Sequence, residues 1–236
     1  MSKKTKVALI TGGSSGIGLG IAESLLKEGY CVAITSRSQE RVDKVVGQLK
    51  QIGAGEIIGI EADTRSLEQQ QNAVQQCISK WGQLDVFVAN AGVGHFAPVE
   101  ELSLEQWHET IDTNLTGPFY SIKASVEALK ASQGYFITIS SLAGTNFFAG
   151  GSAYNASKFG LTGFTQAIML DLRNAGVRVT TIMPGSVATA FNDHQVSDAD
   201  KWKIQKEDIG ELVVDILKLN SRTLPSKIEV RPSKTS

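Results

Sequence analysis

Short β-branched apolar runs alternate with helix-periodic stretches along almost the whole chain, and this alternation constrains the fold more than any other feature. Residues 6–11, 31–35, 56–62, 85–89, 136–140, 177–183 and 227–230 read as strands. Residues 16–28, 39–52, 67–81, 104–111, 115–131, 153–175 and 207–219 read as helices. Strands separated by helices predict a parallel sheet covered on both faces. The run Asp85-Val-Phe-Val-Ala89 is nearly all apolar, as expected of a strand buried on both sides. Right-handed crossovers then give an α/β, doubly wound parallel sheet of about seven strands.

The 236 residues suffice for one such domain over 1–236, with no disulfide or structural metal needed to hold its core. No repeat, low-complexity tract or Pro/Gly-rich linker divides it. A formal net charge of −1 argues against a nucleic-acid or acidic-membrane partner. Cys31 and Cys77 lack metal-ligand neighbours at useful spacing and read as unpaired thiols. The basic start and the brief apolar run after it fit neither a signal segment nor a membrane span, so a cytoplasmic location is expected. The polar stretch 192–203 is the least ordered candidate. It reads equally as a solvated loop or as part of a substrate lid within 188–206.

The first strand runs into Thr11-Gly-Gly-Ser-Ser-Gly-Ile-Gly18, which opens the first helix. A dinucleotide's pyrophosphate needs close backbone approach and free N–H groups at a helix N-terminus. Gly12, Gly16 and Gly18, with Ser14, Ser15 and Ile17 between them, offer both. A bare strand–helix turn is the alternative. At the other end of the chain's logic, Tyr154 and Lys158 lie one helical turn apart and share a face. An ammonium beside a phenol stabilises the phenolate and lowers its pKa. Such a pair is also a common surface pattern. Its position after the strand ending at Ser140 and Ser141 puts it at the same sheet edge as the glycine turn.

These motifs, taken in order, resemble those of the short-chain dehydrogenase/reductase family. They are the glycine turn, Asp63, Asn90-Ala-Gly92, Asn114, Ser141, Tyr154-x-x-x-Lys158 and Pro184-Gly185, spread through about residues 6–230. The resemblance implies a Rossmann-type fold and a catalytic set of Asn114, Ser141, Tyr154 and Lys158. Tyr154 is then the general acid/base, and Ser141 bonds the same substrate oxygen. Lys158 binds the nicotinamide ribose and lowers the tyrosine pKa. Asn114 helps hold a relay water, or is only a satisfied polar group at a helix kink. Ser141 is preferred over Ser140 because it begins a Ser-x-x-Gly pattern ending at Gly144 and lies thirteen residues before Tyr154.

The same resemblance assigns Asp63 and Thr64 to the adenine end of the cofactor. Asn90, Ala91 and Gly92 lie beside it, with Asn90 also bracing the central strands. Pro184, Gly185, Val187 and Thr189 line the nicotinamide. At the end of the second strand Ser36 replaces the acid usual for NAD, and Arg37 follows. A small serine admits a 2′-phosphate and a guanidinium fork binds it, so NADP(H) is expected. Arg37 stacking on adenine is the alternative.

Hydride transfer between NADP(H) and a carbonyl or alcohol is therefore the expected activity, on a small-molecule substrate. Phe96, Phe147, Phe148 and Phe191 predict a largely apolar pocket. His95 reads as a substrate contact or a plain loop residue, and His108 and His194 show no ligand or triad pattern. A 3-oxoacyl group on acyl carrier protein is a substrate alternative, weakened because Lys130 and Arg173 are the only obvious charges for docking the acidic carrier. A silent cofactor-binding sensor or scaffold is the rival from another class. The resemblance also implies a homodimer or homotetramer through the helices at 115–131 and 153–175.

Overall fold

Seven strands pair side by side in one sheet, every neighbour parallel, in the order β3-β2-β1-β4-β5-β6-β7. The computed structural model describes residues 5–53 and 55–235. The strands are β1 (Val7–Ile10), β2 (Cys31–Ser36), β3 (Ile57–Glu61), β4 (Val86–Ala89), β5 (Tyr135–Ile139), β6 (Arg178–Pro184) and β7 (Lys227–Val230). Between them run α1 (Gly16–Lys27), α2 (Gln39–Leu49), α3 (Leu67–Trp81), α4 (Leu104–Ile111), α5 (Gly117–Ser132), α6 (Ser152–Leu172) and α7 (Lys206–Lys218). The chain winds outward from β1 to β3, then returns to place β4 on the other side of β1. That reversal makes a crevice at the carboxyl ends of β1 and β4.

Period-two alternation explains why the central strands are apolar throughout. Ala8, Ile10, Val86, Val88 and Ile137 face one core, packed with Ile21, Leu25, Val42, Ile209 and Val213 from α1, α2 and α7. Val7, Leu9, Phe87, Ala89 and Phe136 face the other, with Val74, Cys77, Ile122 and Leu129 from α3 and α5. Burying each such side chain contributes about 1.5–3 kcal/mol. Short polar caps set the helix ends. Ser38 and Ser66 accept from the N–H of Arg41 and Gln69, and Ser103 forms a reciprocal capping box with Gln106.

The two helical stretches expected at 104–111 and 115–131 are joined without a break. A wide π-helical turn, Asp112–Thr116, connects α4 to α5, with Gly117 N–H bonded to the Asp112 carbonyl. Pro118 follows at the start of α5 and has no N–H for the carbonyl of Asn114, four residues back. Such single π turns concentrate at functional sites.

The polar stretch 192–203 is more structured than its composition implies. A parallel bridge between Val187 and Ile204 closes its base. Inside it, the buried Asp200 carboxylate accepts from Ser197 N–H at 2.9 Å, lies 2.9 Å from His194 Nε2 and pairs with Lys203. Lys203, then the Ser197 N–H and His194, hold that carboxyl well below the usual range. Both free cysteines are buried. Among the described residues, no helix is long and apolar enough to cross a membrane.

Candidate active site

The glycine turn and the first residues after β4 are stitched together at the crevice. Thr11 Oγ1 accepts from the N–H groups of Asn90 and Ala91, at 3.0 and 3.1 Å. Asn90 Nδ2 donates in return to the carbonyls of Thr11 and Gly12, at 2.9 and 3.2 Å. Gly12 and Gly16 adopt φ of 64° and 53°, a region that side-chain-bearing residues rarely enter. The turn therefore delivers the N-terminus of α1, with its unpaired N–H groups, to the cleft floor.

That cleft has a volume of about 720 Å³ and runs from Arg37 and Asp63 at one end to Tyr154 and Phe191 at the other. Of the residues expected to bind cofactor, Gly12, Ser14, Ser15, Gly16, Ile17, Ser36, Arg37, Asp63, Thr64, Asn90, Ala91, Gly92, Tyr154, Lys158, Pro184, Gly185, Val187 and Thr189 line it. Gly18 does not. It packs behind the wall, where a Cβ would lie 2.5 Å from Asn90 Nδ2. Asp63 has its carboxylate engaged: Arg65 donates to it through its backbone N–H, Nε and Nη2. That ion pair holds the Asp63 carboxyl below its ordinary range. Thr64 is buried, and its hydroxyl accepts from Gln70 at 2.7 Å.

At the other end α6 presents Tyr154 and Lys158. Ser141 sits at the mouth of a short turn after β5 and accepts from Ala143 N–H at 3.1 Å. Ser140 is turned inward, bonded to Thr162 at 3.0 Å, and Gly144 packs where a Cβ would meet that threonine. Asn114 is fully buried behind the cleft. Its Oδ1 accepts from Val93 N–H at 2.9 Å, and its Nδ2 donates to the Val93 carbonyl and to Ser157 Oγ. Gly92 leaves open the spot between Asn114 and Lys158. A Cβ there would lie 3.3 Å from Asn114 Oδ1 and 3.7 Å from Lys158 Nζ.

The electrostatics differ from the expected picture of a phenol lowered by its lysine. Lys158 is buried, which pulls its ammonium down to about 8. Burial pushes the Tyr154 phenol up, and the Ser141 hydroxyl offsets part of that rise. Nζ donates to the Ile139 carbonyl at 3.0 Å and sits 5.7 Å from the centre of the tyrosine ring. Desolvation therefore sets the direction at the phenol, with the Ser141 hydroxyl opposing it.

Phe96 meets the Tyr154 ring edge-on at 5.4 Å, and Phe191 lies 5.8 Å from it. Phe148 packs on Phe96. Of the four phenylalanines expected to wall the pocket, Phe191 lines the cleft, Phe96 and Phe148 flank it through the Tyr154 ring, and Phe147 is 86 % exposed. Several lining residues carry no motif: Arg41, Glu109, Thr113, His194 and Lys203. His95 is more than a bare loop residue, with Nε2 2.9 Å from Glu109 Oε2. His194 likewise has an acid partner in Asp200.

The short chain dehydrogenase family model matches residues 6–200. A putative ketoacyl reductase of Streptomyces coelicolor is 32 % identical over 96 % of this chain and 88 % of its own. An alcohol dehydrogenase from the archaeon Thermococcus sibiricus, solved with 5-hydroxy-NADP, superposes with a TM-score of 0.92 at 30 % identity, covering 98 % of both chains. A metagenomic short-chain oxidoreductase solved with NADP gives 0.84 at 32 % identity, covering 97 % of this chain and 98 % of that one. The chain belongs to the short-chain dehydrogenase/reductase family. It is an oxidoreductase acting on CH–OH and C=O groups.

Proposed function

We propose that the cleft binds NADP(H) and interconverts a carbonyl with its alcohol, Tyr154 moving the proton. The convergence of Tyr154, Ser141 and Lys158 on the cleft that also holds the glycine turn and Arg37 carries this reading. The residues suit a dinucleotide. Gly12 and Gly16 keep the phosphate cradle free of side chains. Thr113 Oγ1 lines the same cleft, is buried, and has no hydrogen-bond partner among the described residues. When bound, the cofactor supplies the hydride chemistry.

Each residue then has a place. Gly12, Ser14, Ser15, Gly16 and Ile17 hold the pyrophosphate, with Gly18 and Asn90 bracing them from behind. Ser36 and Arg37 hold the 2′-phosphate, in keeping with the NADP-type ligands of the two similar solved structures. Asp63, Thr64, Ala91 and Gly92 flank the adenosine. Tyr154 and Lys158 meet the nicotinamide ribose, and Pro184, Gly185, Val187 and Thr189 the carboxamide. Ser141 fixes the substrate oxygen beside the phenol. A phenol raised by burial is protonated at neutral pH and ready to donate. Lys158 has one N–H bonded to Ile139, which leaves others for a ribose and for a water held near Asn114.

Phe96, Phe148 and Phe191 fit a carbonyl with an apolar body. A 3-oxoacyl group is such a body, and the similar Streptomyces coelicolor protein is named for that chemistry. The segment 188–206 acts as the lid, held at its base by the Val187–Ile204 bridge. Exposed Phe119 on α5, with Phe159 and Leu170 on α6, supports a homo-oligomer formed through these helices. A silent sensor built on this frame has no need for a tyrosine and a buried lysine in one cleft. The test is NADPH consumption against a panel of ketones, aldehydes and 3-oxoacyl thioesters. Turnover of an apolar carbonyl supports the reading, and tight NADPH binding with no turnover across the panel contradicts it.

A further inference from the structure

Arg37 does not wait free for a phosphate. Its Nη1 donates to Glu109 Oε1 at 3.4 Å. Glu109 reaches it from α4, across the cleft from β2, and both residues line that cleft. The second carboxylate oxygen, Oε2, lies 2.9 Å from His95 Nε2. Glu109 is therefore held through its other oxygen by the His95 imidazole, which also lines the cleft. His95, with further help from Arg37 and Arg65, keeps the carboxyl below its ordinary range, so it is ionised at neutral pH. The neighbouring guanidinium, Arg65, is already committed to Asp63 at 2.6 Å.

We propose that Glu109 determines how strongly the site prefers a 2′-phosphorylated nucleotide, because its tethered carboxylate competes with that phosphate for Arg37. The inference rests on the reading of Arg37 as the 2′-phosphate ligand. A dianion bound at Arg37 stands near a carboxylate that its hydrogen bond to His95 holds in place. At that range the repulsion is only partly screened at physiological salt. The Arg37–Glu109 contact is itself long and partly exposed, with side-chain exposures of 60 % and 33 %. A phosphate can therefore break it, at a cost in affinity. An otherwise permissive Ser36–Arg37 site thus carries a built-in brake on its discrimination.

The ratio of affinities for 2′,5′-ADP and 5′-ADP isolates this effect from the nicotinamide end. Calorimetry on the wild type and on Glu109→Gln, at about 20 and 200 mM salt, reads it. Glu109→Gln is expected to raise the ratio about three- to tenfold at low salt, and less at high salt. His95→Ala frees the carboxylate to swing out and is expected to raise the ratio by a smaller factor. A ratio in Glu109→Gln that equals or falls below the wild-type value overturns the proposal, whatever the wild type prefers. A wild-type ratio near one, raised in Glu109→Gln, upholds Glu109 as the brake and removes the wild type's NADP preference instead.

Discussion

Lys158 Nζ lies 5.7 Å from the centre of the Tyr154 ring, one turn along α6, and its one hydrogen bond among the described residues runs to the Ile139 carbonyl. The ammonium is thus held in place by the backbone of β5 and not by the phenol. Lys158 is buried and Tyr154 half-buried, and loss of contact with water sets the direction in which each titrates.

A buried lysine drawn down to about 8 is a cost to the fold at neutral pH. The unfolded chain keeps its proton up to the ordinary lysine value of 10.5, so the folded state gains stability as pH rises from about 8 to 10.5. The full difference is of order 3 kcal/mol. Lys158→Met should therefore be more stable than the wild type at pH 7, by about 1–3 kcal/mol, and inactive. Denaturant titrations at pH 7 and pH 10 check it: the advantage of the methionine variant should shrink at pH 10. A difference that ignores pH would show that the buried charge is not its source.

Arg37 is expected to carry most of the cofactor discrimination. Arg37→Ala should lower kcat/KM with NADPH about ten- to a hundredfold relative to NADH, since a charged hydrogen bond contributes about 1.5–3 kcal/mol. Arg41 lines the same end of the cleft and should retain a remainder of the preference. Steady-state kinetics with both cofactors read the ratio. An unchanged ratio removes Arg37 from the phosphate site.

Gly18 is needed for packing at the back of the turn. A methyl group there would press on Asn90 Nδ2 at 2.5 Å and on the Gly12 carbonyl at 2.6 Å. Gly18→Ala should cost about 1–3 kcal/mol of stability and weaken nucleotide binding by shifting the cradle. Thermal unfolding and nucleotide titration test the two effects together. Wild-type values for both would refute the assignment.

Cys31 and Cys77 are both buried, and burial pushes the Cys77 thiol up to about 12. Neither should react with a disulfide reagent in the native protein at pH 8 within the time that denatured protein takes to label at both positions. Rapid native labelling would contradict the burial of Cys31 on β2 and of Cys77 on α3.

Most of the frame was legible in the sequence because both faces of the sheet are covered. Val7 to Ile10 and Val86 to Ala89 alternate between two cores, so every position is apolar and the runs stand out. The glycine turn and the Tyr154–Lys158 spacing were legible for a similar reason: each is local. Joining α4 to α5 through a π turn was not, because helix periodicity barely registers one wide turn. Pro118, four residues after Asn114, was the available signal. Tertiary partners stayed invisible. Arg37 meets Glu109 from 72 residues away, and a polar run conceals the burial of Asp200. Phe147 looked like pocket lining by composition alone, yet its side chain faces solvent.

Tyr154→Phe tests the central claim most directly. The substitution keeps the ring between Phe96 and Phe191 and removes only the hydroxyl. Single-turnover oxidation of bound NADPH, with a carbonyl that the wild type reduces, should slow by at least about a hundredfold. Affinity for NADPH should stay within a few-fold of the wild type. A single-turnover rate near that of the wild type would show that another group moves the proton.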